Sequence, residues 1–374
     1  MSLKQVIVVG GGLAGLTSAL HLSRFGIQVI LIEKHSYPRH KVCGEYISNE
    51  VLPYLQSLGF DPFEYGAKRI DRFELSSVRG GKLQSKLPLG GFSLSRYALD
   101  NALVNKAIEN GVLVLKDTVL DIQFKEDQFL LKLKDSEDLK GTFVIGAFGK
   151  RSNLDQKLHR KFLKSKAPYL AVKAHYTCDY PDDLVGLHHF YGGYCGVSKI
   201  ENDQVNLCYI AQYDEFKKFK NINDFQNQVI QKNEALASIF ERAEITFDKP
   251  LSISQISFAP KPIVEDNILM CGDSAGMIHP LCGNGMSMAI QGAKMASELI
   301  VQYFENGLSR SEVENMYIKQ WNKAFKLRLE TGRLLARLFT MKSVSLYIMN
   351  SLKNFPGLVR RIISMTHGKL IESI

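Results

Sequence analysis

Three glycines near the N-terminus, Gly10, Gly12 and Gly15, are spaced G-x-G-x-x-G, with Leu13 and Ala14 between the last two. That spacing suits the cradling of a pyrophosphate. The first glycine permits a tight turn, the second lets the backbone approach the phosphates, and the third lets the following helix pack closely. Free N–H groups at the helix start then present about half a positive charge to the phosphate oxygens. Glu33 ends the next apolar run, followed by Lys34. A carboxylate there accepts hydrogen bonds from a ribose 2′-hydroxyl and repels a 2′-phosphate. A second cluster, GDSAGMIHPLCGNGMSMAI at 272–290, sets Asp273 after Gly272 and then runs through Pro280, Gly283, Asn284, Gly285 and Met286. The Pro280 to Met286 run is too rich in glycine to pack on its own, so something must sit close against its backbone.

The elements that must position these residues are legible in outline. QVIVV is a continuous apolar run, as expected of a parallel strand buried on both faces. A helix from about Leu13 to Phe25 follows, ended by Gly26, and QVILIE is the next strand, which makes a βαβ unit. Buried-strand patterns recur at 143–147 and 268–271. Residues 70–93 read as a hairpin around Gly80-Gly81, and 168–260 as short alternating strands of an antiparallel sheet with a helical insert near 222–242. The expected fold class is α/β: a discontinuous Rossmann-type nucleotide-binding domain (1–70, 94–165 and 262–300) with an inserted antiparallel β-sheet domain (71–93 and 166–261). A helical C-terminal region, 301–374, completes it.

Composition narrows the class further. The chain of 374 residues is 45% hydrophobic and 23% charged, as in ordinary globular proteins. Six cysteines form no C-x-x-C pair and nine histidines no ligand cluster, so neither a disulfide framework nor a metal site is expected. No apolar run reaches membrane-spanning length, and the expected location is cytoplasmic. The net charge is +9, and ten Lys/Arg against one acid, Glu330, between Lys323 and Lys369 account for all of it. In that tail Leu334, Leu335, Leu338 and Phe339 share a helical face beside Arg333 and Arg337, and Pro356-Gly357 divides it into two helices. Two readings stay open: helices packed on the domain with a solvated basic face, or peripheral docking to an anionic membrane surface or an acyl carrier. Nucleic acid is not an expected partner, since no aromatic-plus-basic platform accompanies the charge.

With the glycines, Glu33, RHKVCGEYIS, SLSRYALDNAL and the 272–290 cluster on view, the sequence resembles the FAD-dependent oxidoreductases of the para-hydroxybenzoate hydroxylase-like superfamily. Within them it is similar to the geranylgeranyl reductase and halogenase-like branch. The resemblance covers about 4–155 and 265–295. It implies FAD as cofactor, with Gly272-Asp273 on the ribityl chain, the Pro280 to Met286 turn against the isoalloxazine, and Arg96 reaching the cofactor. Arg96 could otherwise be a solvated helix-start arginine. Arg39 contacts the pyrophosphate or is an exposed loop charge.

The same resemblance puts Cys43 near the flavin, with Glu45 two residues on. A thiol or carboxylate there could manage a proton; alternatively Cys43 is a packed small hydrophobe and Glu45 pairs with Lys41. Two departures stand out. Phe148-Gly149 replaces the hydroxylases' Asp-Gly, which puts NAD(P)H as direct electron donor in doubt and raises a separate reductase as a partner. GGYCGVS at 192–198 lacks the tryptophan and proline of the reductases' substrate strand, and the halogenases' Trp-x-Trp is absent. The expected activity is reduction or dehydrogenation of carbon–carbon bonds in a small apolar lipid-, isoprenoid- or polyketide-like substrate. The alternatives are an oxygen-using flavin monooxygenase and a non-catalytic lipid-binding escort of the same fold.

Overall fold

The computed structural model describes residues 4–78, 81–279, 283–340, 357, 361, 363–365 and 367–374. Pro280, the tip of the 70–93 hairpin and the break at Pro356-Gly357 fall wholly or partly outside the described residues.

The strand Gln5–Val9 is buried along its whole length. It lies inside a six-stranded sheet, between Phe143–Gly146 and Gln28–Ile32, and pairs parallel with both. Leu113–Leu115 extends one side; Ile268–Met270 and then Val264–Glu265 extend the other, the last pair antiparallel. Apolar residues at every position follow from cover on both faces. The helices Leu13–Arg24 and Gly285–Asn306 pack together in the cluster that buries Val6, Ile7, Val8, Leu16, Leu20 and Ile290. The parallel edges of this sheet bring Gly10, Glu33, Ala147 and Cys271 to one end of the strands. Ligands bind at that end of open parallel sheets.

A second, nine-stranded sheet is built mainly from antiparallel partners, including Tyr169–Thr177, Gln204–Gln212 and Gly193–Lys199. One pairing departs from the antiparallel expectation: Leu184–Phe190 runs parallel to Lys68–Ser76. The short strand Tyr46–Ser48 also joins this sheet, against Lys82–Ser93. The loop before it, carrying Cys43 and Glu45, therefore bridges the two sheets. A separate three-stranded antiparallel sheet spans Val119–Lys125, Gln128–Leu133 and Leu139–Gly141. The first long helix after the glycine-rich run ends at Gly307, whose φ of +73° closes it in the left-handed region. The 31-residue helix Arg310–Thr340 follows. Among the described residues no helix is long and apolar enough to cross a membrane.

Candidate active site

One cavity of about 1260 Å³ lies between the two large sheets. Its volume exceeds the roughly 300–1,000 Å³ of a single small-molecule site, so it has room for a cofactor and a second molecule. Gly10, Gly12, Leu13, Ala14, Glu33, Lys34, Arg39 and Arg96 all reach its wall. So do Cys43, Glu45, Gly272, Asp273, Gly283, Asn284, Gly285 and Met286. Gly15 does not. It packs beneath the turn, where a Cβ would lie 2.0 Å from the Gly10 carbonyl oxygen.

The glycine turn is closed from one side and open on the other. Gly10 has φ +107°, and a Cβ on it would sit 2.3 Å from the Ala147 carbonyl oxygen. At Gly12 a Cβ would meet no protein atom within 4 Å. No side chain caps the helix Leu13–Arg24. Its first N–H groups are thus left for a ligand, as a pyrophosphate requires. Glu33 accepts from Gly11 N at 2.9 Å and from His35 N at 3.0 Å, with Arg39 NH2 3.5 Å away. Each carboxylate oxygen keeps lone pairs for ribose hydroxyls.

Asp273 sits in the tight turn Gly272–Ser274, with Gly272 at φ +61°. Its carboxylate opens into the cavity but is ringed by protein. That enclosure raises its pKa above the usual range, against the pull of Lys261, Arg96 and Lys150. Lys261 Nζ donates to the Asp273 backbone oxygen at 2.7 Å, which fixes the turn. Opposite, Gly283 at φ +60° leads into the 22-residue helix Gly285–Asn306, also uncapped by any side chain. Its positive end faces the cavity and favours negative charge there.

Arg96 is anchored rather than free. Its guanidinium forks onto Asp100, Nε to Oδ1 at 2.7 Å and NH2 to Oδ2 at 2.8 Å, and Lys41 Nζ shares Oδ2 at 2.6 Å. Asp100 is fully buried; burial disfavours its charge, yet Arg96 and Lys41 hold its carboxyl below the usual range. Two cations on one anion leave net positive charge at the cavity wall.

Glu45 differs most from expectation. Its partner is not Lys41. Lys173 donates to Oε1, His175 Nε2 lies 2.8 Å from Oε2, and Arg96 N donates to Oε1 at 2.7 Å. Burial works against its charge, but Lys173 and His175 outweigh that and hold its pKa below the usual range. An ionised carboxylate with both oxygens engaged has no proton to give, which withdraws the general-acid role. Glu45 instead holds the loop, in a backbone conformation (φ +56°) that a non-glycine residue adopts only under constraint. Cys43 lies 3.5 Å from the Met286 sulfur, and burial raises its thiol pKa, against the pull of Arg96. Cys43 thus keeps its proton at neutral pH.

Lys173 and His175 escaped the sequence reading, as did Asn206, whose Nδ2 donates to Cys43 O at 3.2 Å. A signal existed. In LAVKAHYTC a lysine and a histidine stand two apart, on one face of a strand otherwise buried from Leu170 to Tyr176. Beyond the loops of Cys43 and Met286, the cavity continues as an apolar arm lined by Phe73, Leu75, Leu87, Val185 and Leu187. Phe148 and Tyr194 also face the cavity. Among the described residues no group of three or more His, Cys, Asp or Glu could hold a metal ion.

The family of the FAD binding domain matches residues 4–308. The chain belongs to that family. Two relatives align along most of its length. Digeranylgeranylglycerophospholipid reductase 2 of Methanothermobacter thermautotrophicus is 24% identical, covering 87% of this chain and 85% of its own. Menaquinone reductase of Mycobacterium tuberculosis is 22% identical, covering 93% and 91%. Among solved structures, the flavin-dependent brominase Bmp2 superposes with a TM-score of 0.78 at 19% identity, over 96% of this chain and 92% of that one. The protein is a FAD-dependent oxidoreductase, similar in sequence to geranylgeranyl-lipid reductases. The uncapped helix starts, the open Gly12 and the unspent lone pairs of Glu33 fit FAD.

Proposed function

We propose that the protein reduces or dehydrogenates carbon–carbon bonds in an apolar lipid- or isoprenoid-like substrate. The observation that carries this reading is the apolar arm of Phe73, Leu75, Leu87, Val185 and Leu187 opening onto the loop of Cys43 and Met286. Bound FAD supplies two-electron hydride chemistry. Gly10, Gly12 and the start of Leu13–Arg24 would hold its pyrophosphate, Glu33 a ribose and Asp273 the ribityl chain. The Gly283–Met286 turn would flank its ring. The apolar arm orients the chain and excludes water. Cys43, protonated, can give a proton to the carbon that does not take the hydride, while the Lys173–Glu45–His175 cluster keeps its loop in place. Relatives named as lipid and quinone reductases support the same reading.

An oxygen-using monooxygenase is the second reading, supported by the fold shared with the brominase. The two separate in one experiment. The FAD-loaded protein, reduced anaerobically with dithionite, is mixed with geranylgeranyl phosphate, and the visible flavin band and product mass are followed. Return of the yellow colour without oxygen, with two hydrogens gained by the substrate, is expected. Return only on admitting oxygen, with an oxygen atom in the product, refutes the reductase reading. Repeating the reduction with NADPH, NADH or a separate reductase identifies the electron donor that Phe148 leaves open. Docking to an anionic membrane is proposed for the exposed Leu327 and Leu334, which Lys323, Lys326 and Arg333 flank on the helix Arg310–Thr340.

A further inference from the structure

The strand Gln204–Gln212 sends Asn206, Cys208 and Ile210 to one face, because side chains alternate along a strand. That face meets the loop 41–45. Asn206 Nδ2 donates to Cys43 O at 3.2 Å. Lys173, the direct cross-strand partner of Cys208, donates to Lys41 O at 3.2 Å and to Glu45 Oε1. The loop is therefore pinned on both sides of Cys208, and the Cys43 N–H is directed at the Cys208 sulfur. Cys43 and Cys208 both line the main cavity.

Both thiols are free and half-buried, and both have space beside them. Gly44 follows Cys43, and a Cβ on it would meet nothing within 4 Å. Gly196 stands opposite Cys208 in the sheet, and a Cβ there would meet only Cys208 O, at 3.7 Å. Burial raises both thiols, but each has a cation to steady its thiolate as it forms: Arg96 pulls Cys43 down and Lys173 pulls Cys208 down. Cys195 is no competitor for this face. It pairs in register with Tyr209, on the opposite side of the sheet, and is packed into the core with Phe190 and Phe225.

We propose that Cys43 and Cys208 are a modification site, closing to a reversible disulfide when hydrogen peroxide enters the cavity. Peroxide is what oxygen yields on meeting a reduced flavin, so the oxidant arises beside the thiols. The Cys43 sulfur attacks one peroxide oxygen, the O–O bond breaks, and a sulfenic acid and one water result. The Cys208 sulfur then attacks that of Cys43, the S–O bond breaks, and a second water leaves with the Cys208 proton. Two thiols lose two electrons in all, and the peroxide takes them. With both backbones already clamped, rotation of the side chains about Cα–Cβ joins the sulfurs; Cys43 Sγ now lies against the Met286 sulfur at 3.5 Å. The cross-link is independent of the substrate. Only its consequence, withdrawal of the proton that Cys43 gives, rests on the function proposed above.

The test treats the FAD-loaded full chain with hydrogen peroxide, then reads intact mass and maps peptides without reductant. Loss of two hydrogens, one linked peptide pair holding Cys43 and Cys208, and return of both thiols with dithiothreitol are expected. Cys43→Ser and Cys208→Ser should each lack the link, and Cys208→Ser should collect a dimedone-reactive sulfenic acid at Cys43. The map of the unaltered protein decides the pairing whether or not the variants fold well. Substrate-dependent flavin reoxidation should fall about a hundredfold or more in the linked protein and recover with dithiothreitol. No link, a link from either cysteine to any other, or oxidation confined to a Met286 sulfoxide overturns the site. A linked protein that reoxidises at the full rate leaves the site standing and refutes the proton role given to Cys43.

Discussion

Lys173→Met is the substitution that most directly examines how the loop of Cys43 is held. Lys173 and Glu45 are both 0% exposed at their side chains, so the ion pair receives no help from solvent. Removing the lysine leaves the Glu45 carboxylate with Arg96 N and His175, and breaking such a buried pair costs about 3–5 kcal/mol. That is a large share of the roughly 5–15 kcal/mol by which domains are stable. Glu45→Gln should cost a similar amount, because Lys173 is then the uncompensated charge. The double variant should cost clearly less than the sum of the two, since neither charge remains. Urea unfolding of the FAD-loaded protein, followed by release of flavin fluorescence, measures all four corners of this cycle. A pH series adds the sign. The folded pKa of Glu45 is depressed, so its contribution is present above the unfolded value of about 4.3 and is lost as pH falls through the folded value. Glu45→Gln should lack that acid-side loss. Additive single costs below about 1 kcal/mol each would refute the clamp, since a pair worth so little is energetically a surface pair.

Gly12→Val and Gly10→Ala should fail differently. The first intrudes only on the cavity and should leave the apoprotein's unfolding midpoint unchanged while FAD content is lost; the second strikes the Ala147 carbonyl and should lower the midpoint itself. Thermal scans with and without FAD separate the two. Asp273→Asn should weaken FAD binding about tenfold to a hundredfold, read by ultrafiltration, as loss of a hydrogen bond to a charged group would. Cys43→Ser should keep FAD content and slow substrate-dependent flavin reoxidation, whereas unchanged turnover would make the thiol a packing group. Leu327→Glu with Leu334→Glu should abolish co-sedimentation with vesicles of phosphatidylglycerol and phosphatidylcholine, and added salt should weaken it in the unaltered protein.

The local parts of this site were legible in the chain because local physics decides them. A glycine turn between an apolar strand and a helix has few uses, and the conformations of Gly10 and Gly272, both at positive φ, are what their residue type permits. Composition and strand patterns likewise pointed to a parallel core and a separate sheet. What the sequence by itself could not determine was how charges pair across long separations. Lys41 stands four residues from Glu45 and is one of the partners the sequence offers it, yet Lys41 pairs with Asp100 and Glu45 with Lys173 and His175. Only the docking of the second sheet onto the loop brings those groups within reach. Glu50, Arg328 and Gly368 meet for the same reason, at the end of a chain that returns to its beginning. Backbone conformation answers to neighbours in sequence. The pairing of buried charge answers to neighbours in space, because a desolvated ion takes whichever partner the packed structure sets beside it.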